Sequence, residues 1–230
     1  MTPGPTLEIN CPACGQTHFR GSINSGNTFG ARYYSDGKRI APMLPEFPYF
    51  VKCQSADCGV FFKANKTKPC ADKNSKGDFV RFLSINEYIR AIDVGLFNSA
   101  EKGSDEWNDD ILSLRIELWR AFNHRDPKMS KITLEDKSVT VLDGLEKATS
   151  EEKAVYVDNC RKITSLMENK SDDVSCLIKA ENYRNIGEFD MCKRLLRDIK
   201  EPEKYKAAIL TIDTACDVNT TFTALLEHVD

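Results

Sequence analysis

Cys11-Pro12-Ala13-Cys14-Gly15 and Cys53-Gln54-Ser55-Ala56-Asp57-Cys58-Gly59 decide how the N-terminal part of this chain folds. Each stretch pairs two cysteines across a short turn and follows the second with glycine. A tight knuckle calls for positive φ after its second cysteine, and glycine reaches that region without steric cost. Thiolates are soft ligands that suit Zn²⁺, and two pairs brought together by folding make a closed four-coordinate shell. The expectation is one structural zinc ion per chain, held by Cys11, Cys14, Cys53 and Cys58 in a ribbon, with no coordination position left for catalysis. His18, four residues after Cys14, and Cys70, twelve after Cys58, are the rival ligands. Cys70 has no following glycine and sits among lysines, so the two knuckles are preferred.

Around the knuckles the chain reads as strand and loop. The aromatics of Thr28-Phe29-Gly30-Ala31-Arg32-Tyr33-Tyr34-Ser35 suit a strand, and Ser35-Asp36-Gly37-Lys38 is a turn signal. Pro42, Pro45 and Pro48 forbid a central strand and predict an extended, ordered loop. Short strands are expected before Cys53, after Gly59 and at Phe79-Val80-Arg81-Phe82-Leu83. Residues 63–78 carry five lysines and read as a mobile surface loop.

From Ser84 the period becomes helical. Ser84-Ile85-Asn86-Glu87 and Thr149-Ser150-Glu151-Glu152 are capping boxes that open helices to about Phe97 and Asn169. A helix over 105–124 carries the apolar stripe Trp107, Ile111, Leu114, Leu118 and Phe122. Residues 126–148 show no clean period and read as an irregular loop. Helices are expected over about 203–216 and 219–229. Between these, Ala180, Tyr183, Gly187, Phe189, Cys192, Leu196 and Ile199 resemble one tetratricopeptide (TPR) unit, with Cys192 where alanine is usual. No second copy appears 34 residues away, so the reading is one TPR-like hairpin at about 173–202 within a bundle. The fold class predicted is therefore α+β, with a zinc-ribbon β domain over 1–83 and a helical domain over 84–230.

The knuckles, with Ser25-Gly26-Asn27-Thr28-Phe29-Gly30-Ala31, Ser35-Asp36-Gly37 and Ala41-Pro42-Met43-Leu44-Pro45, resemble a group of uncharacterised bacterial proteins in which a zinc ribbon precedes a TPR-like helical region. The resemblance covers about the first 60 residues specifically. It implies the fold and no activity. The four residues between Cys53 and Cys58 depart from the usual two.

Composition narrows the function classes. The chain has 230 residues, 41% hydrophobic and 29% charged, enough to bury a core. The net charge of −3 is too small to imply a polyanion partner, but it is uneven: 1–80 is formally +4 and 81–230 formally −7. Nine cysteines without a signal peptide or an apolar membrane-spanning run predict a reducing cytoplasm, where paired cysteines hold metal. Cys160, Cys176, Cys192 and Cys216 fall in helical patterns and read as small core residues.

Three functions are weighed. The first is an adaptor that binds another protein through its acidic helical domain. The second is a nucleic-acid-binding or transcription-associated ribbon, in which Phe29, Tyr33, Tyr34, Phe47, Tyr49 and Phe50 stack bases beside Arg32, Lys38 and Arg39. The third is a hydrolase of unknown substrate. No catalytic residue and no further cofactor is assigned. Residues 25–30 lack the P-loop lysine that a phosphate cradle would need. His124 and Asp126, two apart, would not face each other on a helix. Asp109-Asp110 and Asp172-Asp173 read as solvated or helix-start charges. The adaptor leads, and the oligomeric state stays open.

Overall fold

A computed structural model describes residues 1–70, 78–97 and 104–226, with the side chains of 104–107 excepted. The chain is α+β. The N-terminal part is built of small sheets around the cysteine knuckles, and six helices follow among the described residues, named here α1 (Ile85–Val94), α2 (Ser104–Asn123), α3 (Ser150–Leu166), α4 (Asp173–Asn185), α5 (Phe189–Arg197) and α6 (Lys206–Asp217). Contacts divide it into two units: Met1–Ala31 with Ile40–Leu114, and Arg32–Arg39 with Arg115–Asp230.

In the first unit Leu7–Asn10 is the middle strand of three, between Thr17–Arg20 and Lys68–Pro69. Phe50–Lys52 pairs with Phe61–Lys63, so each knuckle joins two antiparallel strands. Alternation drives Ile9, Val51 and Phe62 inward, where they pack with Cys11, Cys53 and Ala64. The proline-bearing stretch 41–49 contains no strand. It lies against Gly26, whose missing side chain matters: a Cβ there would sit 2.3 Å from the Met43 carbonyl oxygen. Gly26 thus serves close packing, while Gly30 takes positive φ (+70°) with open space around it. α1 opens with the expected capping box, the Ser84 hydroxyl accepting from the Glu87 N–H while the Glu87 carboxylate accepts from the Ser84 N–H.

Two expectations for this unit fail. Residues 63–78 are not loop throughout, because Lys68–Pro69 adds to the Leu7–Asn10 edge; 71–77 lie outside the described residues. Phe79 makes a single bridge to Phe19 rather than leading a strand to Leu83.

The second unit takes its helices where periodicity sets them. The α2 stripe is buried here at Leu118 and Phe122 with Trp119, and in the first unit at Leu114, while Trp107 falls outside the described side chains. α3 carries the Thr149–Glu152 capping box and buries Tyr156, Cys160 and Ile163. α4 and α5 form a helical hairpin around Ala180, Cys192 and Leu196, turned at Gly187 with φ +82°.

Residues 126–148 correct the loop reading. Lys128–Leu134 and Lys137–Asp143 form a regular antiparallel hairpin, its turn reached with Glu135 at φ +54°. Ile132, Thr133, Val139, Thr140 and Val141 supply the β-branched run, but Glu135-Asp136 is not a usual hairpin turn. Residues 219–229 are corrected as well. Thr223–Ala224 is a third strand on Lys137–Asp143, and the chain is extended to Leu226, with 227–230 outside the described residues. Three threonines at 220, 221 and 223 disfavour helix, and the sheet buries Ala224 against Val139, Val141 and Ala215.

Candidate metal centre

Folding brings Cys11, Cys14, Cys53 and Cys58 together with all four sulfurs within 4.8 Å of one another. The closest pairs run between knuckles, Cys11 to Cys58 and Cys14 to Cys53, each at 3.7 Å. Zinc–sulfur bonds of about 2.3 Å in a tetrahedron set the sulfurs about 3.8 Å apart. Those two pairs match this spacing, which is far longer than a disulfide. Gly15 at φ +76° and Gly59 at φ +62° end the two knuckles. The wider second knuckle absorbs its extra residues in a turn, closed by the Cys58 N–H on the Ser55 carbonyl at 3.2 Å. The sulfurs can therefore converge despite the unusual spacing.

Backbone amides point at the thiols, as a thiolate cluster requires: Ala13 and Cys14 toward Cys11, Gln16 toward Cys14, Ser55 toward Cys53. Burial nonetheless pushes the Cys11 thiol up and the Cys53 thiol up to about 12. The Gln16 amide holds the exposed Cys14 below its ordinary value. Without a cation, holding four thiolates this close, with Cys11 and Cys53 buried, would be costly. A divalent ion removes that cost, and the donor set therefore fits a soft or borderline metal ion.

His18 does not join the cluster, yet it is not idle. It is wholly buried, and its Nε2 lies 3.4 Å from the Cys53 sulfur. Burial lowers its pKa and favours the neutral ring, which as the Nε2–H tautomer donates to that sulfur. A metal-bound thiolate is tuned by such a hydrogen bond. Cys70 is not among the clustered thiols; its N–H donates to the Thr6 carbonyl at 2.8 Å.

Elsewhere the second unit holds a buried polar network that sequence reading missed. The Ser35 hydroxyl donates to Glu181 at 2.5 Å and accepts from the Ala224 N–H at 2.8 Å. Glu181 pairs with Arg184, which also donates to the Thr220 carbonyl; both side chains are fully buried. Asn185 accepts from Trp119 at 2.9 Å and donates to the Thr221 carbonyl. His124 is 3.0 Å from Asp36, not paired with Asp126, and Asn123 donates to the same carboxylate. Burial pushes the Asp36 carboxyl up, but His124, Asn123 and the Lys38 amide outweigh it and hold it below the usual range. Asp172 caps α4, and Asp110 is buried against Lys63 rather than solvated. No motif flagged this network. Its members lie 36 to 189 residues apart for the bonds that matter most, and only folding brings them together.

No protein-family model, curated protein or solved structure matches the chain. No helix among the described residues is long and apolar enough to cross a membrane.

Proposed function

We propose that this is a structural zinc protein whose helical unit docks a basic segment of another protein. The observation that carries the zinc reading is the four-sulfur cluster: all four corners of a tetrahedron come from cysteine, so the ion would brace the ribbon and leave no open position for substrate. What remains for function is surface. The turn of the TPR-like hairpin opens on a cleft of about 530 Å³, with Glu188 and Asp190 exposed at its edge. The formal −7 of residues 81–230 extends the same sign over the helical body and favours a cationic partner.

Affinity capture with the full-length chain, followed by zero-length carboxylate–amine coupling, tests this. A partner whose lysines couple to Glu188 and Asp190, and which is lost in a Glu188→Lys, Asp190→Lys variant that keeps its zinc, is the expected result. Capture that nuclease abolishes and that the double variant leaves intact would overturn it. Such a result would favour base stacking on aromatics such as Phe29, 84% exposed, and Tyr49, 47% exposed.

A further inference from the structure

Two of the cysteines outside the metal centre are not independent core residues. Cys192 on α5 and Cys216 at the end of α6 have their sulfurs 3.4 Å apart, in the apolar cluster with Ala180, Leu196 and Ile212. A disulfide needs about 2.05 Å, so the sulfurs must close by only about 1.4 Å. The two side chains differ in access. Cys192 has no exposed surface, whereas Cys216, itself buried at 2% exposure, is the one of the pair that borders the open cleft with Gly187, Phe189, Lys193 and Asp217. We infer that Cys192 and Cys216 form a reversible dithiol–disulfide site, oxidised by a small hydroperoxide that enters through this cleft. The inference goes beyond the docking role and does not depend on it.

The asymmetry assigns the roles. The Cys216 thiol is held below its ordinary value, first by the hydrogen bond it shares with Cys192 and then by the buried Arg184 cation, against its own burial. Cys192 is pushed up by the same sharing and by burial. Cys216, the one bordering the cleft, is therefore the attacking sulfur, reacting as the thiolate, and Cys192 behind it the resolving thiol. In the first step the Cys216 sulfur attacks one peroxide oxygen. The S–O bond forms, the O–O bond breaks, and the departing oxygen takes a proton to leave as water or an alcohol. In the second step Cys192 attacks the sulfenic sulfur: the S–S bond forms, the S–O bond breaks, and hydroxide leaves as water with the Cys192 proton. Two thiols give up two electrons and two protons to one hydroperoxide. The product ties α5, the second helix of the TPR-like hairpin, to α6.

The experiment treats the native, zinc-loaded, full-length protein with hydrogen peroxide, quenches it in acid, and maps cysteine pairing by mass spectrometry alongside zinc content. A Cys192–Cys216 linked peptide that forms while zinc is retained, and that dithiothreitol reverses, is expected. A Cys192→Ala variant should leave Cys216 as a sulfenic acid trapped by dimedone, an adduct absent from the wild type. Should that variant not fold, the wild-type map decides alone. Cys192 and Cys216 both still alkylatable after the ribbon has lost its zinc, or Cys216 driven to sulfinic acid with no linkage, would overturn the inference.

Discussion

At the scale of single residues, two kinds of constraint meet in the first unit. The sulfur of Cys11 is one corner of a cluster that also closes the ribbon core with Ile9 and Val51. Cys11→Ser should therefore cost both metal and fold in the ribbon. Metal analysis of the purified protein is expected to give one zinc per chain for the wild type and loss of it for the variant. An intact ribbon without zinc or iron would remove the metal reading. Gly26 acts by what it lacks. In Gly26→Ala the new methyl meets the Met43 carbonyl oxygen and the Leu44 side chain, and backbone must move. Denaturant titration should show a loss of about 1–3 kcal/mol, the usual cost of overpacking.

At the scale of elements, α1 shows how a local signal gains a tertiary partner. Glu87 closes the capping box and also takes a bidentate pair from Arg81, both contacts at 2.7 Å. The Arg81 guanidinium first, with the Ser84 amide, holds its carboxyl at about 2 against an ordinary 4.5. The folded state thus binds this proton less readily than the unfolded chain. The stabilisation is complete above pH 4.5 and is lost as pH falls toward 2. Because Arg81 is largely exposed, the share at neutral pH is about 1 kcal/mol. Glu87→Gln keeps a box-forming side chain and removes the charge. It should lower stability by that amount at pH 7 and by nothing measurable at pH 2, read from paired denaturant titrations. An equal loss at both pH values would contradict the ion-pair account.

At the scale of the whole molecule, the second unit is not a continuous stretch of sequence. It includes Arg32–Arg39, where Ser35 satisfies both Glu181 and the Ala224 N–H and Asp36 satisfies Asn123 and His124. Ser35→Ala leaves a buried N–H without its acceptor and should cost about 1–3 kcal/mol. The isolated fragment 84–230 loses the whole Arg32–Arg39 segment. It should melt at a lower temperature than the helical signal of the full chain, followed by far-ultraviolet circular dichroism. A fragment as stable as the intact protein would show that this network is dispensable.

The sequence by itself determined what is written in short-range pattern. The knuckles carry their own glycines, both capping boxes pair residues three apart, and the stripes of α2 and α3 repeat within a few turns. The α4–α5 hairpin is legible for the same reason: its helices, turn and small residues are contiguous. Only the tertiary structure decided where chemistry depends on distant partners. The run 128–143 became a hairpin despite a weak turn signal, because Val139 and Val141 are buried against Ala215 and Val218 of and beyond α6. Residues 220–224 became extended because Arg184, Asn185 and Ser35 take up their backbone groups and a strand completes the sheet. His18 and the Cys192–Cys216 pair belong to the same class. A buried hydrogen bond to sulfur has no period and no spacing rule, so its physical cause is visible only once the chain has closed on itself.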